Sequence, residues 1–269
     1  MTERFRPFCL TRVTPLPTIV PLITQLDRVA IEPCDITDLA NLMNLEIVVP
    51  EEVPVMTLPN IAFFPQALLP LHIFEPRYRQ MLADALTKDR LMAVVGLDQD
   101  RLLEANSFEP PHRVATVGII RACQKNGDGT SNLLLQGICR VEITHIAAEE
   151  PYRIVTIRAL NNQACNDPKI NAQLRVQLAK LLELKRTSGA KIPAEITDFL
   201  QTVEDPDIFV DLAAFSLCED ASLKQTLLET LDVRTRLELF NQQLLIEIEG
   251  LQLHKTLQGD LPDNRISEN

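Results

Sequence analysis

Tryptophan is missing from this chain, tyrosine occurs twice, and the first of only 8 glycines is Gly96. A glycine-rich phosphate cradle therefore cannot sit in the first third, and no G-x-x-x-x-G-K-[ST] occurs anywhere. No G-x-S-x-G is present to place a serine on a nucleophile elbow. Long apolar runs are lacking too. The greasiest stretch, Ile61 to Phe74, is broken by Pro65 and Pro70, whereas a bilayer span needs about 20 apolar residues. Arg4, Arg6 and Arg12 are followed by no apolar core and small-residue cleavage site, so no secretion signal is expected. The 6 cysteines form no CxxC and the 4 histidines are scattered, which gives zinc no tetrahedral set. Reduced thiols in a cytoplasmic protein are the expectation, with no metal and no cofactor. Basic residues are outnumbered, 26 Lys and Arg against 37 Asp and Glu, for a net charge of −11. Such a balance opposes a sequence-independent grip on phosphates, so no nucleic acid is expected as a partner.

The distribution of what is present divides the chain in three. Eleven of the 18 prolines lie in residues 1–76, and formal charge is −4 over 1–52, zero over 53–160 and −7 over 161–269. Residues 1–52 alternate Pro-broken apolar stretches with acidic residues and are expected to form a poorly ordered extension. Met43 offers an alternative start within it.

From Val53 the pattern is strand-like. Val53–Leu58 and Leu69–Phe74 are short apolar runs bounded by prolines, and Leu91–Leu97 has the length of a buried strand. Between them Pro76 stands at a natural first helical position, followed at helical spacing by Tyr78, Met81, Leu82, Ala85 and Leu86. Val114–Cys123 and Leu133–Ile146 flank Asn126-Gly127-Asp128-Gly129, a tight-turn signature that predicts a hairpin. On the return strand Cys139, Val141 and Ile143 alternate with Arg140, Glu142 and Thr144, which predicts one wet face. Tyr152–Leu160 supplies a further strand, and five or six strands with one helix read as a small, partly closed barrel over 53–160.

After Asp167 the period becomes 3.6. Asp167-Pro168 and Asp205-Pro206 each pair a capping carboxylate with proline at the first helical position. Ile170, Leu174, Leu178, Leu181 and Leu182 make one face of a helix ending near Gly189. Ser222 to Gln225 reads as a capping box, and Asp232 can cap a long last helix with Val233, Leu237, Phe240, Leu244, Ile248 and Leu251 inward. A helical bundle over 161–256 follows, its negative charge on solvated faces, with a frayed tail over 257–269.

Three tempting groups carry no chemistry. Asn126, Asp128 and Thr130 have calcium-loop spacing but lack the glycine and glutamate such a loop needs. His72 and Glu75 straddle a strand-to-helix turn, which favours a structural histidine. Cys123 and Cys139 lie at unequal distances from the hairpin turn and do not pair. No catalytic residue is expected.

Leu71-His72-Ile73-Phe74-Glu75-Pro76-Arg77-Tyr78-Arg79 strongly resembles the N-terminal domain of the Lon protease family, especially its stand-alone bacterial versions. Phe63-Phe64-Pro65 fits the strand before that motif, and Leu135 to Arg140 matches the family's L-x-G-x-x-R. Asp211-Leu212-Ala213-Ala214, Lys224 to Glu229 and Arg236-Leu237 match its helical half. The resemblance spans about residues 53–252 and implies an α+β fold: a PUA-like pseudo-β-barrel followed by a C-terminal helical bundle. It departs at Gln66, where the family commonly has glycine, so a turn needing positive φ is expected to relax or be replaced.

In full-length Lon enzymes this region helps recognise substrates, while ATPase and Ser–Lys peptidase domains, whose motifs are not found in this sequence, do the work. The resemblance thus implies a non-catalytic module that binds unfolded or peptide segments of client proteins, an adaptor serving a protease or chaperone in quality control, without a membrane partner. RNA binding by a PUA-like barrel and hydrolysis at a cryptic site are the alternatives. Arg77, Tyr78 and Arg79, at a helix start beside a barrel opening, are the candidate peptide-binding residues, set against a structural reading in which the arginines satisfy carbonyls and Tyr78 packs. The acidic balance predicts a preference for apolar peptides flanked by Lys or Arg.

Overall fold

A computed structural model of the chain describes residues 48–103, 108–163 and 167–258. The chain divides between Ala159 and Leu160 into two compact units, a β unit and a helical one. The extension expected over 1–52 lies outside the described residues up to position 47, as does the tail beyond position 258.

Among the described residues the β unit holds six strands: β1 (Glu52–Leu58), β2 (Leu68–Ile73), β3 (Leu91–Gly96), β4 (Val114–Lys125), β5 (Ser131–Ala148) and β6 (Ile154–Leu160). Helix α1 (Pro76–Thr87) lies between β2 and β3 in sequence. Sheet order is β2-β5-β4-β3-β1-β6, with β6 also pairing β5. Five strands thereby close a ring, and β2 hangs on its outside. The 18-residue β5 makes this possible by serving two neighbours along its length. Residues Ser131–Gln136 pair β2, whereas further along Thr144 donates to the Thr156 carbonyl of β6. β1 runs parallel to β3 and antiparallel to β6.

Inside the ring, alternate residues meet: Val53 and Val55, Ala93 and Val95, Ala115 and Val117, with Val141 and Val155. Small β-branched and alanine side chains suit a lumen this narrow. The opposite face of β5 is wet only in part: Thr144 is exposed. Arg140 and Glu142 are both buried. The Phe63–Phe64 segment folds over the sheet, so that Arg140 lies over the Phe64 ring at 5.8 Å and Thr116 donates to the Phe63 carbonyl at 2.5 Å. Gly137 is required there, because a Cβ on it would collide with the Phe64 carbonyl. Its own N–H donates to Ala67, and its carbonyl accepts from Gln66. Gln66 keeps the positive φ, 63°, that glycine would hold at no cost. The turn therefore has neither relaxed nor been replaced. It is carried by a non-glycine residue at about 1–2 kcal/mol.

The helical unit contains α2 (Pro168–Thr187), α3 (Ala194–Thr202), α4 (Pro206–Leu217), α5 (Ala221–Glu229) and α6 (Val233–Gln258). Asp167 and Asp205 cap α2 and α4 as the Asp-Pro pairs predict, accepting from Lys169 N and from Asp207 and Ile208 N. Asp232 accepts from Thr235 N at the start of α6. The cap of α5 differs from its expectation: Asp220 accepts from Ser222 and Leu223 N, so Ser222 lies inside the helix. A carboxylate two positions upstream outcompetes the hydroxyl because it is the stronger acceptor. Helix α3 is an addition that the pattern did not announce.

Not all of the acidic charge lies on solvated faces. Arg236 is fully buried and donates to Asp211 (2.5 Å), Asp207 (2.6 Å), the Thr230 carbonyl (3.0 Å) and Asn162 Oδ1 (3.0 Å). One guanidinium thus ties α6 to α4, to the turn after α5 and to the segment before α2. The Asp211 and Arg236 motifs, 25 residues apart, meet in this cluster.

Candidate functional site

Helix α1 sets the candidate residues. Pro76 pre-forms its first turn, Glu75 precedes it with extended backbone, and Tyr78, Met81, Leu82 and Ala85 face inward. That inward stripe decides the fate of the three neighbours 77, 78 and 79, which point in different directions on a helix.

Tyr78 is buried, and its hydroxyl bonds the Thr57 backbone in β1. Burial pushes its pKa up to about 12. Arg77 is half-buried and makes a bidentate pair with Glu109 (2.8 and 2.9 Å), adding a 3.0 Å contact to Glu75. Its guanidinium lies 4.5 Å over the Tyr78 ring and 5.9 Å from the Phe108 ring. Burial works against the Arg77 charge, but the Glu109 and Glu75 carboxylates outweigh it and raise the pKa. Glu109 reaches Arg77 from a backbone at φ 44°, a left-handed conformation costly for glutamate. Arg153 holds it there, donating at 2.7 Å to the carbonyls of both Phe108 and Glu109 and at 3.0 Å to Thr57. Phe108 itself is left 54% exposed.

Arg79 is the exposed member of the three. Its guanidinium lies against Gly129 of the hairpin turn, where any Cβ would strike it. Gly129 is at φ 81°, so the turn favours glycine, while the exposed Arg79 side chain could move aside for a Cβ. The two elements enclose a hollow of about 450 Å³, floored by Leu82 and Leu86 and walled by Arg79, Gln80, Lys125 and Asn126. The structure therefore gives the three residues separate settings: Arg79 at an open hollow, Arg77 in an ion-paired stack, Tyr78 beneath it. Motif reading found these three but not Phe108, Glu109, Lys125 or Gly129. Of these only Gly129 left a signal, as part of the Asn-Gly-Asp-Gly turn.

The remaining groups have separate partners. His72 Nδ1 donates to Asn132 Oδ1 at 2.7 Å, while Glu75 is held by Arg77. Asp128 accepts from the Thr130 N–H and hydroxyl, which hold its pKa below the ordinary carboxylate range. Cys123 stands opposite Leu133 and Cys139 opposite Val117, so the two thiols do not meet. Among the described residues no three His, Cys, Asp or Glu side chains gather as metal ligands, and no helix is long and apolar enough to cross a membrane.

The model of the ATP-dependent protease La (LON) substrate-binding domain family matches residues 52–245. The chain is similar to the Lon protease of Dictyoglomus thermophilum, 25% identical over 213 residues that make up 79% of this chain and 26% of that protein. With the Lon protease of Syntrophus aciditrophicus it shares 30% over 227 residues, 79% of this chain and 28% of that one. It thus spans about a quarter of the length of the curated relatives it matches. Among solved structures, the N-terminal domain of Mycobacterium avium complex Lon protease aligns at TM-score 0.55 and 19% identity, covering 74% of this chain and 98% of that domain. A Lon N-terminal domain protein from Xanthomonas campestris aligns at TM-score 0.51 and 19% identity, covering 72% and 97% respectively. These likenesses support the pseudo-barrel followed by helices.

Proposed function

The chain belongs to the Lon substrate-binding domain family, and from that premise we propose that it is a non-catalytic module that captures peptide segments of client proteins. In this reading it acts in the cytoplasm as an adaptor, handing unfolded clients to a protease or chaperone. The observation that carries the reading is the reach of the family match, which takes in both the β unit and most of the helical one. Support at the residue level comes from the hollow beside α1. It joins an apolar floor, which gives affinity, to polar walls, which give selectivity. Arg79 touches the client directly. Arg77 and Tyr78 position it, since Arg77 is committed to Glu109 and Tyr78 is buried.

Fluorescence anisotropy with labelled casein, an unfolded protein, against a folded control tests the proposal. The expected result is saturable binding of casein alone, weakened by substitution of Arg79, with no hydrolysis of casein or ATP. Equal binding of the folded control, no binding at all, or turnover that survives further purification would each overturn it.

A further inference from the structure

Most arginines of the β unit are already neutralised or bonded. Arg77 pairs with Glu109, Arg153 with Glu149, and both Arg113 and Arg158 with Glu142. The two cations on the hollow differ. Among the described residues neither Arg79 nor Lys125 makes an ion pair or a side-chain hydrogen bond, and no carboxylate lines the space they share. Carboxylates on the same elements are hydrogen-bonded elsewhere, and none of them lines the hollow. Asp128 accepts twice from Thr130, Glu75 accepts from Arg77, and Asp84 accepts from the Tyr152 hydroxyl at 2.7 Å. The first turn of α1 contains no acidic side chain, and the carboxylate of Glu75 at its N-cap is held by Arg77.

Resting on the client-binding reading above, we propose that this hollow selects apolar client segments flanked by Asp or Glu, with Arg79 and Lys125 meeting the carboxylate. The net charge of −11 favours the opposite choice at long range. That field is screened beyond about 8 Å at physiological salt, whereas a cation in contact with its ligand is screened far less. Long-range charge therefore sets the association rate, and the two local cations set which complex lasts.

The test uses apolar peptides capped at both ends, carrying flanking Glu, Lys or Gln, titrated at low and at near-physiological salt. At near-physiological salt the Glu-flanked peptide should bind roughly tenfold more tightly than the Lys-flanked one, the ratio expected of two partly desolvated pairs. Arg79→Gln with Lys125→Gln should bring that ratio to about one, with the Gln-flanked peptide still bound. Both positions are exposed, so unchanged melting temperature and far-ultraviolet dichroism should accompany the loss. Equal or stronger binding of the Lys-flanked peptide, or an undiminished ratio in the double variant, would overturn the inference and leave the client-binding reading standing. Failure of all three peptides would overturn both. Displacement of the Glu-flanked peptide by a single-stranded oligonucleotide at lower concentration than by unlabelled peptide would also overturn it, assigning the two cations to phosphate.

Discussion

Arg153 in the β unit and Arg236 in the helical unit are 6% and 0% exposed, and the two units answer the cost of burying them differently. Arg153 is met by neutral dipoles, the carbonyls of Phe108 and Glu109 and the Thr57 hydroxyl, together with a half-exposed Glu149. Arg236 is met by two carboxylates, of which Asp211 is itself buried. A cation satisfied by loop carbonyls shapes a surface, whereas one satisfied by buried charges pins an interior. The difference teaches which buried charge serves the candidate site and which serves only the fold.

Removing the interior pin should be the most damaging change. Arg236→Ala leaves Asp211 charged, buried and without its guanidinium, and should cost about 3–5 kcal/mol in urea unfolding. Arg236→Met with Asp211→Leu removes both charges and should recover most of that loss. No recovery would show that the hydrogen bonds to Thr230 and Asn162, rather than charge pairing, matter most. Arg153→Met should cost less, about 1.5–3 kcal/mol, because the freed carbonyls lie near the surface and can turn to water. Its signature is local: faster hydrogen exchange around Phe108 and Glu109, with the β1–β3 ladder still protected.

Gln66→Gly should have a smaller effect of opposite sign. Relief of the positive φ should raise stability by up to about 1 kcal/mol, partly offset by the greater freedom of glycine when unfolded. A loss of stability would mean that the Gln66 side chain contributes more than its long 3.4 Å contact with Gln136 implies.

The smallest change concerns acid. Hydrogen bonding from Arg158, reinforced by Arg113, holds the Glu142 carboxyl below its ordinary pKa. The folded value lies below the unfolded one, so the stabilisation is complete above the ordinary glutamate pKa of about 4.3. It is lost as pH falls through the depressed folded value. A pH series of melting temperatures should therefore fall less steeply below about pH 4 for Glu142→Gln than for the parent. Parallel curves would discount the pair.

Local pattern carried most of the elements. Short apolar runs placed β1 to β3, Asn126-Gly127 placed the hairpin, Pro76 placed α1, and Asp-Pro placed two helix starts. Errors arose where a distant segment changes what a pattern means. Arg140 on β5 reads as wet until Phe64 folds over it. Ser222 reads as a cap until Asp220 starts the helix two residues earlier, accepting from the N–H groups of Ser222 and Leu223. The site was legible in the same measure. The motif singled out Arg77, Tyr78 and Arg79, but nothing local shows that Glu109, 32 residues away, claims Arg77 and leaves Arg79 at the hollow.

The ring closure of the β unit has a consequence for synthesis on the ribosome. β1, the first of the described strands to be made, is flanked by β3 and by β6, the last of them. A growing chain that has delivered β1 to β5 still exposes one unpaired edge of β1, and such an edge invites pairing with other chains. Val53 and Val155, which stand opposite one another, meet only after β6 has left the exit tunnel. The β unit therefore completes its fold in one late step, when its final strand arrives.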